Sequence, residues 1–290
     1  MPQHRMKFSV QENLVPGRGM AEKLSILEEL GYEGIELWGT QELGQQLNAY
    51  KELLGSHRVK VSTICSGYRG DLLSASRAER DTAVADIKDR LKWASELGAV
   101  GVIVVPTFGA SKIPDLSPYS SAFELERELL IVELKELSKS ALDLGVSVLL
   151  EPLNRYETHF LKRLEDAYRI ALEAGEGVAV MADFFHMNIE EADMASAIKS
   201  AFPRLLHVHL ADSNRVRPGA GHTDFKPAFK VLREMGYDHY GALECSLAGE
   251  PKRELAEALA YLRSLRRFWS ESSGSFLLRR SMCNAPRSSL

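Results

Sequence analysis

Eight short runs of β-branched and other apolar residues, each followed by a helix-length segment, constrain this chain more than any other feature. The runs are Lys7–Val10, Gly34–Leu37, Val59–Cys65, Gly101–Val105, Ser147–Leu150, Val178–Ala182, Leu205–Leu210 and Tyr240–Glu244. Each has the four to seven residues of an ordinary strand. Between them the helical signals are local and physical. Ser121-Ala122-Phe123-Glu124 reads as a capping box, in which hydroxyl and carboxylate each satisfy a free N–H of the first turn. The helix it opens stacks Leu125, Leu129, Val132 and Leu137 on neighbouring turns, and Gly145 ends it as a C-cap glycine. Leu91–Gly98 and Arg169–Gly175 end the same way. The junctions LGYEGIEL, LGAVGVIVV, LGVSVLLE and AGEGVAVMAD resemble one another, as one structural unit reused would.

Strands that alternate with helices pair in parallel, because parallel neighbours need a crossover. An open doubly wound sheet that bound a dinucleotide would carry a glycine fingerprint after its first strand. Here Gln11-Glu12-Asn13-Leu14-Val15 follows instead. The pattern therefore predicts a closed (β/α)₈ TIM barrel, and 290 residues suffice for one. We read residues 1–269 as a single barrel domain and 270–290, rich in Ser and Arg, as a loosely ordered extension.

Several classes of function fall away. A formal net charge of −4 does not suit a protein that neutralises phosphates, so nucleic acid is not an expected partner. No apolar run reaches the roughly 18–20 residues of a membrane span. The opening Met1-Pro2-Gln3-His4-Arg5-Met6 lacks a signal-peptide core. Cys65, Cys245 and Cys283 are odd in number and widely spaced, which suits a reducing compartment. The expected location is the cytoplasm.

In a (β/α)₈ barrel the chemistry lies at the C-terminal ends of the strands. Strand five ends at Glu151, strand six at Asp183, strand seven near His209 and strand eight at Glu244. By alternation Glu151 shares a face with Leu149 and Ser147, Asp183 with Met181 and Ala179, and Glu244 with Ala242. Taken singly, a strand-end carboxylate reads as a helix cap or a surface charge. Four ligand-type groups on consecutive strands read as a metal site, since three carboxylates so close would repel without a cation between them. Three oxygens and one imidazole suit Mn²⁺, Mg²⁺ or Co²⁺ ahead of Zn²⁺. His207 lies one layer deeper and reads as structural or supporting.

The segments EPLNRYE (Glu151–Glu157), DFFHMN (Asp183–Asn188), HVHLADSNR (His207–Arg215) and PGAGHTD (Pro218–Asp224) resemble the ketose 3-epimerases, the D-tagatose and D-allulose 3-epimerase group of the xylose isomerase-like barrels. The resemblance is densest over residues 145–250 and looser before residue 140, where GYEGIELWG adds to the barrel pattern. It implies that Glu151, Asp183, His209 and Glu244 hold a divalent metal, Mn²⁺ foremost, and that Glu151 and Glu244 also act as the acid/base pair. It implies substrate contacts from Glu157, His186 and Arg215, a sugar as substrate, and a homodimer or homotetramer.

General chemistry fits those roles. Epimerising a carbon beside a ketone removes a weakly acidic C–H proton, and a cation on the carbonyl and a neighbouring hydroxyl stabilises the cis-enediolate that results. Inversion then needs an acid on the opposite face, and two glutamates on different strands, here Glu151 and Glu244, can flank the carbon. His186 and Arg215 can donate to oxygens that gain charge, and Glu157 can grip a hydroxyl. The same machinery could run an aldose–ketose or hydroxypyruvate-type isomerase, or a lyase or dehydratase on a keto-sugar or keto-cyclitol. An abasic-site endonuclease would want more histidines and a basic face. A barrel with a purely structural metal would leave two carboxylates without a task. The loop Pro106–Pro114 lacks the pattern expected of the free-ketose enzymes; for a phosphorylated substrate Lys112 and Arg69 are conceivable anion contacts, although isolated surface bases usually carry no function.

Overall fold

The computed structural model describes residues 5–278. Eight parallel strands close into a barrel in sequence order. They are β1 (Lys7–Gln11), β2 (Gly34–Trp38), β3 (Lys60–Cys65), β4 (Gly101–Val104), β5 (Ser147–Leu150), β6 (Val178–Asp183), β7 (Leu205–Leu210) and β8 (Tyr240–Leu243). The helices are α1 (Met20–Leu30), α2 (Gln41–Gln45), α3 (Leu47–Gly55), α4 (Arg77–Leu97), α5 (Ala122–Leu144), α6 (Leu164–Ala174), α7 (Phe184–Glu190), α8 (Met194–Ala201), α9 (Lys226–Glu234) and α10 (Pro251–Leu278). The (β/α)₈ TIM barrel expected from the alternation is the observed fold, and every expected strand lies within one or two residues of its place.

Helix ends follow the predicted chemistry. Ser121 and Glu124 form the reciprocal capping box of α5, and Gly145 closes that helix in the left-handed region at φ 68°. Gly98 closes α4 at the same φ, 68°. Gly175 departs from the expectation, with φ 121° and ψ 177°, so α6 ends by an extended glycine rather than a left-handed cap. Helix α10 runs on to Leu278. The remainder of the proposed extension, 279–290, lies outside the described residues.

Most of the apolar core fills the space between strands and helices, with Leu24, Leu27, Ile87, Leu91, Leu134, Leu137, Phe184 and Leu262 among its buried members. A smaller cluster of Cys65, Ile103, Leu149, Ala179 and Met181 fills the barrel itself. The companions that alternation assigned to Glu151 and Asp183 thus lie in the barrel interior, directly below the strand ends. β4 and β5 approach so closely that a Cβ on Gly101 would sit 2.0 Å from the Ser147 carbonyl oxygen.

Candidate metal centre

Strand register brings the four strand-end groups to one level. Asp183 on β6 is paired with His209 on β7, and His209 with Ala242 on β8. Glu244 lies two residues beyond Ala242 and so points to the same face. Glu151 follows β5 and still donates its backbone N–H to the Val104 carbonyl, at 3.1 Å. One donor atom from each of Glu151, Asp183, His209 and Glu244 lies within 4.8 Å of the others. His209 Nδ1 stands 3.0 Å from Glu244 Oε2, 3.5 Å from Glu151 Oε1 and 3.7 Å from Asp183 Oδ2.

The donor set fits a divalent cation. Asp183 Oδ2 and His209 Nδ1 are buried and have no hydrogen-bond partner, and both belong to this cluster. A buried polar atom left without a partner is costly, so such atoms mark strain or a missing ligand. The other oxygen of Asp183 has separate work. Oδ1 caps α7 by accepting from the backbone N–H of Phe185 at 2.7 Å and of His186 at 3.3 Å.

Electrostatics divides the carboxylates. Burial pushes the Glu151 carboxyl above its ordinary range, and the charges of Glu244 and Asp183 add to the rise against the pull of His209. Burial acts on Asp183 in the same direction, but His186, His209 and Arg215 overcome it and hold that carboxyl below its usual range. His209 is desolvated, yet Glu36 and Glu244 keep its pKa well above that of a free imidazole. A divalent cation there would take the Nδ1 lone pair, so ligation requires that nitrogen to be free of a proton.

The residues given contact roles surround this centre. His186 Nδ1 receives the Asn154 backbone N–H at 3.2 Å, and Nε2 lies 3.7 Å from Asp183 Oδ2 and 3.4 Å from Arg215 Nη1. Arg215 Nη2 donates to Glu244 Oε2 at 2.6 Å, and its guanidinium lies 4.9 Å over the Phe185 ring. Glu157 accepts from Asn154 Nδ2 at 2.9 Å and lies 3.8 Å from Arg215 Nη1, at the partly open rim. Arg215 reaches inward because Asn214 and Arg215 both adopt left-handed backbone, at φ 59° and 56°. Each such residue costs on the order of 1–3 kcal/mol. Asp212 holds the loop in that form by accepting backbone N–H groups from Ser213 and Thr223 at 2.8 Å and Gly219 at 2.9 Å.

Two residues were absent from the sequence reading. Glu36 on β2 is fully buried and accepts from His209 Nε2 at 3.0 and 3.1 Å. Its other partners are Thr63 Oγ1 at 2.6 Å, His207 Nε2 at 2.9 Å and Gln11 Nε2 at 3.2 Å. Burial disfavours the Glu36 carboxylate, but the two imidazoles more than offset it and hold its pKa below the usual range. Gln11 also donates to Glu244 Oε1 at 3.1 Å. The signal was available for Glu36: a charge in the middle of a five-residue apolar strand, GIELW. His207 is buried one layer below His209, in the supporting position expected of it. Lys112 and Arg69 are each bound to a carboxylate, Asp71 and Asp86, so neither is a free anion contact.

Known proteins share this fold. The family described as xylose isomerase-like TIM barrel matches residues 24–265. A 3-dehydro-D-guloside 4-epimerase of Escherichia coli (strain K12) is 32% identical over 263 residues, 89% of this chain and 100% of that protein. A D-psicose 3-epimerase of Enterocloster bolteae is 40% identical over 120 residues, 41% of this chain and 40% of that protein. The crystal structure of a 3-keto-D-glucoside 4-epimerase from E. coli superposes with TM-score 0.82 at 31% identity, covering 90% of this chain and 100% of that one.

Proposed function

The chain belongs to the xylose isomerase-like TIM barrel family, and from that premise we propose that it is a metal-dependent epimerase inverting a sugar carbon next to a ketone. The observation that carries the reading is the convergence of Glu151, Asp183, His209 and Glu244 on one buried point with two unpartnered donor atoms. Two relatives that differ in the carbon they act on share one chemistry. C3 of a 2-ketose and C4 of a 3-keto-glycoside are both α to the carbonyl, and their C–H bonds are acidified in the same way. The resemblance of residues 145–250 pointed to C3 epimerisation of a ketose. A relative 32% identical over its whole length is a 4-epimerase of a 3-dehydro-glycoside, which favours a 3-keto-glycoside as substrate.

Glu151, Asp183, His209 and Glu244 would hold the ion, with Mn²⁺ favoured by three oxygens and one nitrogen and Mg²⁺ or Co²⁺ next. Bound there, a divalent cation would polarise the substrate carbonyl and so acidify the neighbouring C–H. The remaining steps belong to the protein. Glu151, raised by burial, takes or returns the proton on one face, and Glu244 does so on the other. Arg215 orients Glu244 and donates to a substrate oxygen that gains charge. His186 offers its Nε2 hydrogen to a second oxygen, and Glu157 at the rim accepts from a substrate hydroxyl. The buried floor excludes water that would otherwise quench the carbanion nonspecifically. We further propose a cytoplasmic homodimer or homotetramer. Among the described residues no helix is long and apolar enough to cross a membrane, and Cys65 and Cys245 are free thiols.

The test is proton NMR in D₂O with the Mn²⁺-loaded protein, offering a free 2-ketohexose and a 3-keto-glucoside separately. The expected result is loss of the α-C–H signal together with appearance of the epimer, faster for the glycoside. Exchange that produces an aldose instead would indicate an isomerase, and loss of water or of a substituent would indicate a lyase. No exchange with any keto-sugar in the metal-loaded protein would overturn the proposal.

A further inference from the structure

We propose that Glu36 is a positioning residue for the metal centre: it fixes the tautomer and tilt of His209 and, through Gln11, the placement of Glu244. The inference rests on the metal reading above and extends it to a layer of the barrel that the comparisons do not assign. His209 Nε2 lies 3.0 and 3.1 Å from the two Glu36 oxygens. A ring nitrogen facing an ionised carboxylate carries the hydrogen. Nδ1 is then the nitrogen left to face Glu151, Asp183 and Glu244, and its lone pair becomes the ligand when a cation is present. Outer carboxylates of this kind hold ligating imidazoles in orientation and raise their basicity.

Glu36 is itself held. Thr63 Oγ1 at 2.6 Å and His207 Nε2 at 2.9 Å grip one oxygen, and Gln11 Nε2 at 3.2 Å grips the other. The amide of Gln11 has two hydrogens, and the second goes to Glu244 Oε1 at 3.1 Å. One buried carboxylate on β2 therefore bonds His209 on β7 directly and reaches Glu244, just after β8, through Gln11 on β1. Glu36, His207 and His209 could alternatively be read as a second cation site, since their donor atoms also fall within 4.8 Å of one another. The hydrogen bonds argue against that. Both oxygens of Glu36 already receive hydrogens, and the unpartnered atom of His207 is Nδ1, not the Nε2 that faces Glu36.

The experiment titrates metal-free protein with Co²⁺ and Mn²⁺, measuring stoichiometry, affinity and the visible Co²⁺ spectrum for the unmodified chain, Glu36→Gln, Thr63→Val and Gln11→Leu. We expect one ion per chain in all four proteins. Affinity should fall about 10–100-fold in Glu36→Gln, the usual cost of losing an outer-shell partner, with a changed Co²⁺ spectrum. Thr63→Val and Gln11→Leu should show smaller losses in the same direction. If Glu36→Gln does not fold, the other two variants decide, and unchanged affinity and spectrum in both overturn the proposal. The same result in folded Glu36→Gln overturns it directly. Two ions per unmodified chain, with one lost in Glu36→Gln, overturns it in favour of a second metal site. Absence of any ion from the unmodified chain would instead be a failure of the metal reading itself.

Discussion

Replacing Asp183 with Asn separates two tasks that the structure assigns to different oxygens of one side chain. Oδ1 caps α7 through Phe185 and His186, while Oδ2 is buried and unpartnered in the metal cluster. Asn keeps an oxygen for the cap, and Asn and Asp are about equally good caps. The metal-free variant should therefore melt close to the unmodified protein. Loss of one clustered carboxylate relieves repulsion from Glu151 and Glu244 but removes attraction to His209 and Arg215, and the two effects oppose each other. Metal affinity should fall by about 100-fold or more, beyond the typical cost of an outer-shell loss. An ion at about 100 times its Kd stabilises the unmodified protein by about 2.7 kcal/mol. After a 100-fold loss the same concentration supplies about 0.4 kcal/mol. At roughly 2–4 °C per kcal/mol, the melting temperature rises about 5–10 °C in one case and about 1 °C in the other. Asp183→Ala is the control: it loses the cap as well, costing about 1 kcal/mol even without metal. Differential scanning fluorimetry across a Mn²⁺ titration reads all three proteins. If Asp183→Asn keeps the full metal-dependent rise, Oδ2 is not a ligand. If its metal-free melting point falls as far as that of the Ala variant, the division of labour is wrong.

Glu151→Gln and Glu244→Gln should each lower epimer formation by about 10²–10⁴-fold at saturating metal; near-normal turnover at full occupancy would make that residue a ligand only. Each should still exchange the proton of one epimer, the one whose base survives, as deuterium uptake measured with each epimer in turn would show. Glu133, on α5 beside Arg80, has its pKa raised to about 7 by burial. The folded state then holds a proton that the unfolded state releases near pH 4.5, so stability falls as pH rises from about 4.5 to 7. Glu133→Gln should flatten that decline, worth about 1–3 kcal/mol, and an unchanged melting profile between pH 5 and pH 8 would count against it. Gly101→Ala forces a Cβ to within 2.0 Å of the Ser147 carbonyl and should destabilise the barrel by about 3 kcal/mol, read by chemical denaturation.

The barrel was legible because each unit carries its own local signals: a short apolar run, a capped helix, a glycine stop. The four strand-end groups were legible because period-two alternation and chain-end position suffice to place them. What alternation cannot supply is which side chains meet inside the barrel. Glu36 meets His209 across a separation of 173 residues, and Gln11 meets Glu244 across 233. Each was readable as an oddity, a charge or an amide inside a strand, but not as a pair. The left-handed turn at Asn214 and Arg215 was also hidden, because neither residue is glycine and the loop is held by Asp212 through backbone contacts. Arg215 was placed by resemblance, not by its own chemistry. At Gly175 a positive φ was foreseen but not its extended ψ, at a place where an added Cβ would lie 2.8 Å from Ser138 Oγ.

The division between strands and loops also explains why reaction class is easier to read than substrate. The proposed ligands and bases sit at strand ends, where register fixes them to one another; on that proposal any ketone presented there would lose its α-proton by the same route. Carbon number is set by how the rest of the sugar is held. A free ketose brings a short, open anomeric end, whereas a glycoside brings a ring and a substituent that must leave the barrel mouth. The loop after β4 lies at that exit. Thr107 lines a small cavity together with Glu151 and donates to Asp71 at 2.8 Å. Asp71 in turn borders an open cleft of about 580 Å³ with Glu79, Thr82, Phe108 and Lys112. An exposed aromatic beside paired charges is a surface on which a sugar ring or its substituent can rest. Lys112 is already neutralised by Asp71, so a phosphate would have to break that pair to bind there. The chemistry proposed at the strand ends therefore admits both substrate classes, and the Lys112–Asp71 pair counts against a phosphorylated member of either.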